Sequence, residues 1–142
     1  MIKLDEIRKY KKLIKEKEEI NLSMLIKERE EVFVLIKNKE DEYSLLQSKI
    51  RDLYYDNFNI SLVTLYNQNL SFIKSEIERL EKSVLKLNEK IENQKEILKK
   101  ATIEYKKFEK LEELQKEKEK LNISKKEKME IDEIVTNMFN RD

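Results

Sequence analysis

Residues 73 to 108 read IKSEIERLEKSVLKLNEKIENQKEILKKATIEYKKF. Within them Ile73, Ile77, Leu80, Val84, Leu87, Ile91, Gln94, Leu98, Ala101, Tyr105 and Phe108 follow one another at alternating steps of four and three, with mostly charged residues between. A period of 3.5 keeps one apolar stripe against a partner helix along a left-handed supercoil, so an unbroken heptad seam of this length specifies coiled coil. Gln94 is the one polar seam position, and a polar residue there fixes register at some cost in stability.

Composition agrees with the seam. Of 142 residues, 43% are charged, 31 basic against 30 acidic, and there is no Gly, Pro, Cys, His or Trp. Such a chain carries no obvious helix breaker and has the composition of long helices. One apolar stripe per helix cannot build a thick core, so burial must come from pairing two helices or from a partner. An all-α rod is expected.

The missing residue types narrow the chemistry. Without Gly there is no phosphate-cradling loop; without His or Cys there is neither a zinc site of the usual ligand set nor a Ser-His or Cys-His nucleophile pair. Carboxylates are abundant but scattered over solvated faces, where nothing drives their pKa values apart. No enzyme activity, cofactor or metal is expected. No segment approaches the ~18 apolar residues of a membrane span, and the start, Met1-Ile2-Lys3-Leu4-Asp5-Glu6, has acids where a signal peptide needs an apolar core. A cytoplasmic protein without direct membrane insertion is expected. A net charge of +1, with basic residues alternating with acids, argues against nucleic-acid binding.

Outward from the seam, Leu4, Ile7, Tyr10, Leu13, Ile14 and Ile20 recur at helical spacing near the N-terminus, with Lys11 and Glu18 in looser seam slots. Met24, Leu25, Ile26, Val32, Phe33, Val34 and Leu35 then form a stripe wider than a two-helix seam needs, which predicts additional burial. Val32, Ile36, Tyr43, Leu46, Ile50 and Leu53 restore the heptads, with Lys39 in one slot. Helix one therefore spans about 3 to 55. Asp56, Asn57 and Asn59 are turn formers, and Asn59 or Ser61 can cap the next helix. A tip at about 56 to 61 follows, then helix two at about 62 to 139, beginning with Leu62, Leu65, Tyr66 and Leu70.

Five of the eleven aromatic residues gather at this tip: Tyr54, Tyr55, Phe58, Tyr66 and Phe72. Two readings stay open: rings that cap the hairpin end, or a docking patch, since aromatic anchors are favoured at interfaces. After Phe108 the seam is expected to slide to Leu111, Leu114 and Leu121. Residues 106 to 130 hold nine Lys and seven Glu, including an i,i+4 pair of Glu112 and Lys116. Apolar character returns at Ile131, Ile134, Val135, Met138 and Phe139, on one face. Antiparallel pairing about the tip sets Leu4 opposite roughly residue 112, leaving about thirty residues, or ~45 Å, overhanging. The expected fold is a single coiled-coil domain over 1 to 142: a long antiparallel two-helix hairpin with a projecting C-terminal helix.

Three stretches carry a family resemblance. ATIEYKKFEKL at 101 to 111 places basic residues before an apolar-Glu-Lys-Leu core. KEKMEIDEI at 126 to 134 is a charged run followed by apolar-Asp-Glu-apolar, and the region from Leu65 and Tyr66 to Ile73 and Ile77 is a Tyr-containing, Phe- and Leu-rich start of helix two. With the two-helix layout, these resemble the FliJ family, the small stalk and escort proteins of the flagellar type III export apparatus, similar in turn to the central stalks of rotary ATPases. The tip lacks the glycine that many relatives carry.

The resemblance implies a non-enzymatic component of flagellum biogenesis and motility. Its partners would be the hexameric flagellar export ATPase, the cytoplasmic domain of the export gate membrane protein, and export chaperones. It would sit in the cytoplasm, peripheral at the inner membrane through the export apparatus. Paired termini would enter the ATPase ring and promote its assembly or activity without binding ATP. Carried onto this sequence, the ring-facing residues would be Leu4, Ile7, Leu121, Ile131, Ile134, Val135, Met138 and Phe139. The gate-facing residues would be Phe72, Ile73, Ile77 and Leu80. The last three also belong to the seam, which makes Phe72 the freer candidate. A coiled-coil tether or self-assembling scaffold is the alternative, as is the equivalent stalk of a virulence type III system or a rotary ATPase. A prefoldin-type holdase needs β-hairpins, and no alternating strand pattern is present.

Overall fold

A computed structural model describes residues 3–56 and 58–140. Two helices account for nearly all of them: α1, Leu4–Asp56, and α2, Ile60–Phe139. They are packed against each other. No Gly or Pro interrupts either one, and Asp5 and Glu6 in the first turn of α1 complement its dipole.

The break between the helices is short because Asn59 starts the second one. Its Oδ1 accepts the Leu62 N–H at 3.3 Å and its carbonyl accepts the Val63 N–H at 3.0 Å, an N-cap. That cap begins α2 at Ile60, slightly before the expected 62. Asn57, the other asparagine of the tip, lies outside the described residues.

The chain packs as two units, Glu18–Leu98 and the terminal segments Met1–Lys17 with Lys99–Asp142. In the first, the buried residues are Val63, Ile73, Leu80, Val84, Leu87 and Ile91, all on α2, with Ile91 only 1% exposed. Half-buried Leu25, Val32, Ile36, Tyr43, Leu46, Ile50 and Leu53 of α1 complete the seam. Each buried aliphatic side chain contributes about 1.5–3 kcal/mol. Val63 was not among the residues expected to start helix two, yet the seam's own steps run back through Leu70 and Tyr66 to it. Leu65, which was expected there, is exposed.

Polar pairs set the direction of α2 in this unit. Gln94 Nε2 donates to the Glu18 carbonyl at 3.2 Å and to the Glu18 carboxylate; Arg29 Nη1 donates to Asn88 Oδ1 at 3.0 Å; Lys39 Nζ lies 2.9 Å from Glu76 and 3.5 Å from Glu42. Partners descend along α2 as residues ascend along α1, so the helices are antiparallel. On α1 the half-buried positions Glu18, Asn21, Leu25, Arg29 and Val32 step by three, four, four and three. Two consecutive fours locally unwind a supercoil. The expected extra burial nearby is met only in part: Ile26 is half-buried beside the seam residues Leu25 and Val32, whereas Met24, Phe33, Val34 and Leu35 are exposed, because α2 covers a narrow stripe.

In the terminal unit Leu4, Ile7 and Ile14 of α1 and Ala101, Tyr105 and Phe108 of α2 are half-buried. Lys11 sits 3.8 Å from Glu104 and 5.9 Å above the Phe108 ring centroid, and Lys15 lies 5.3 Å above Tyr105. These cation–π placements fill the loose seam with charge-compatible contacts. Arg8 pairs with Glu112, which also takes Lys116 at 3.4 Å, the expected i,i+4 partner. The seam therefore keeps its step from Phe108 to Glu112 and does not slide to Leu111, Leu114 and Leu121, which are exposed. Arg8 presents a cation where the next apolar knob would fall, and a carboxylate is the side chain that satisfies it.

Candidate docking surfaces

From Glu113 to Asn140 every described residue of α2 is exposed. Helical continuity through this charged stretch carries Ile131, Ile134, Val135, Met138 and Phe139 onto one face, since residues three, four and seven apart share a side. None is covered; Phe139 is 81% exposed. Leu121 is exposed ten residues upstream. Leu4 and Ile7 differ, being half-buried at the start of α1. Leu4 shares a shallow cleft with Glu112, Gln115, Lys116 and Glu119. The ring-facing candidates thus fall into a seam-bound pair and an uncovered tail set. Ile123 and Met129, not among those candidates, are also exposed on the tail. They stand singly between polar or charged neighbours, so periodicity does not mark them.

The gate-facing candidates divide as the periodicity suggests. Phe72 is 64% exposed, Ile77 is half-buried, and Ile73 and Leu80 are buried. Phe72 borders a groove with Leu45, Leu46, Lys49 and Asn69, rimmed by Lys39 and Glu42. An apolar ring beside a small polar rim is the usual form of an interface anchor.

The tip rings are mostly outside. Tyr54 and Phe58 lie with ring centroids 5.3 Å apart in a tilted arrangement, and both, with Tyr55, are exposed; only Tyr66 is half-buried. They touch one another without being sealed, which leaves their outer faces available.

Electrostatics at the seam is organised by two cations. The hydrogen bond to Glu112 holds Arg8 above its ordinary pKa against a smaller desolvation effect, and the bond to Glu76 does the same for Lys39, helped by Glu42. Both therefore stay charged at neutral pH. Among the described residues, no group of three or more His, Cys, Asp or Glu could hold a metal ion, and no helix is long and apolar enough to cross a membrane.

A family model described as flagellar FliJ protein matches residues 1–142, the whole chain. No curated protein and no solved structure matches.

Proposed function

This chain belongs to the FliJ family, and from that premise we propose that it is the stalk of the flagellar export apparatus. FliJ-family membership makes it a component of that apparatus, within a family of structural and escort proteins. The finer reading is that the terminal part of the hairpin inserts into the hexameric export ATPase and promotes its assembly or activity without binding ATP. The tail of α2 projects as the inserting element. One observation supports this most: an apolar face of Ile131, Ile134, Val135, Met138 and Phe139 that is exposed among the described residues. Leu121, Leu4 and Ile7 extend the ring-facing set.

The other end of the link is the export gate. Phe72 is the anchor for the cytoplasmic domain of the gate protein, because it is exposed beside an apolar groove. Ile73, Ile77 and Leu80 contribute only if the hairpin opens there. Export chaperones are further partners, and the protein works in the cytoplasm at the inner-membrane face.

The test uses the full chain with the purified export ATPase. Met138→Glu with Phe139→Glu is expected to abolish stimulation of ATP hydrolysis while leaving helicity intact, and Phe72→Ala to weaken gate binding while sparing the ATPase. A terminal variant that still stimulates the ATPase would overturn the ring-facing assignment and favour a tether.

A further inference from the structure

The tail of α2 changes sign where its apolar face begins. From Lys116 to Lys128 it holds six Lys against three Glu, whereas from Met129 to Asn140 its charged residues are Glu130, Asp132 and Glu133, all acidic. The chain as a whole has 31 basic and 30 acidic residues, so this segregation is local, and it coincides with the return of apolar residues at Ile131. The last turn of α2 carries no basic residue to offset the partial negative charge of the helix C-terminus; Arg141 lies outside the described residues.

Position sorts the three acids. Residues three, four or seven apart share a side of a helix. Glu130 stands four before Ile134, and Asp132 stands three before Val135 and seven before Phe139. Two residues apart, the acids lie about 200° from each other around the axis, one on each flank of the apolar face. Glu133 is at none of these spacings from any residue of the face and sits on the far side. All three are exposed, and among the described residues none takes part in an ion pair. Lys128, three before Ile131, is the last basic residue before the face.

A carboxylate brought against an uncharged or acidic wall loses hydration without compensation, whereas a facing cation repays it. We propose that the seat for the tail is an apolar groove walled by Lys or Arg on both sides, with Glu130 pairing on one wall and Asp132 on the other. This rests on the stalk reading, so the groove belongs to the export ATPase ring. It adds the chemistry of the partner's surface: the apolar face holds the tail, and the two flanking charges fix which side of the helix meets each wall. Rim charges act chiefly on the association rate and its salt dependence.

The test mixes the full-length chain with the purified export ATPase and reads the chain concentration that gives half-maximal stimulation of ATP hydrolysis. Glu130→Lys and Asp132→Lys are each expected to raise it about three- to tenfold at about 50 mM salt, through slower association and with helicity unchanged. Glu133→Lys makes the same change of charge on the far side and should raise it less than about twofold. At about 300 mM salt the native chain should weaken and its advantage over the Glu130 and Asp132 variants should shrink. Unchanged stimulation by those two variants, or an equal loss for Glu133→Lys, would overturn the proposal while Met138→Glu with Phe139→Glu still abolishes stimulation. Normal stimulation by the Met138 and Phe139 variant would instead sink the stalk reading, and this proposal with it.

Discussion

Lys39 shows what a charge in a coiled-coil seam does when the facing helix answers it. Its ammonium lies 2.9 Å from Glu76 and 3.5 Å from Glu42, and the bond to Glu76 raises its pKa. A folded pKa above the unfolded one means stability that is fully present below about pH 10 and lost as pH rises through the folded value. The thermal midpoint of the native chain should therefore exceed that of Lys39→Met by a constant margin from pH 7 to about pH 9.5. The margin should close above about pH 10.5; a margin independent of alkaline pH would show that the pair contributes nothing. Arg8, also raised, by its hydrogen bond to Glu112, keeps its charge throughout that range and adds no such dependence. The slots of Lys39, Glu18 and Lys11 were legible in the sequence as gaps in the stripe. Their partners were not, because Glu76, Gln94, Glu104 and Phe108 are tens of residues away and only antiparallel pairing brings them close.

Each helix is held at a few positions of unequal weight. Ile91 is nearly sealed at the centre of the seam, so Ile91→Ala should cost about 2–5 kcal/mol of unfolding free energy, read by urea denaturation. Ile97→Ala, on an exposed flank of the same helix, should stay within about 0.5 kcal/mol. At the start of α2, Asn59→Ala should cost about 1 kcal/mol by removing the cap, and Asn59→Asp should restore all but a few tenths of that. Equal losses for alanine and aspartate would mean that the side-chain bond to Leu62 is not the cap's source of stability. The seam of α2 was readable because its period is a local property, and the same reading extended backward would have found Val63. The end of the seam was not readable. Leu111 and Leu114 look more apolar than Glu112, and Arg8 decides for Glu112.

At the scale of the molecule, the buried seam and the exposed apolar residues are separate sets. The tail from Glu113 to Asn140 is wholly exposed, so Met138→Glu with Phe139→Glu should leave the thermal midpoint within about 1–2 °C of the native value even as ATPase stimulation disappears. A large fall in the midpoint would instead make those residues structural. By itself the sequence determined the two long helices, the α2 seam, the turn formers of the tip and the absence of the usual catalytic ligands. These follow from residue type and spacing along one chain. Only the tertiary structure decided which apolar residues are covered: Val63 and Ile91 are buried, whereas Met24, Val34, Phe72 and Phe139, no less apolar by pattern, are not. Burial depends on what faces a helix, and a single partner helix covers a single stripe. The apolar residues left over are therefore surfaces, and the docking assignments rest on them.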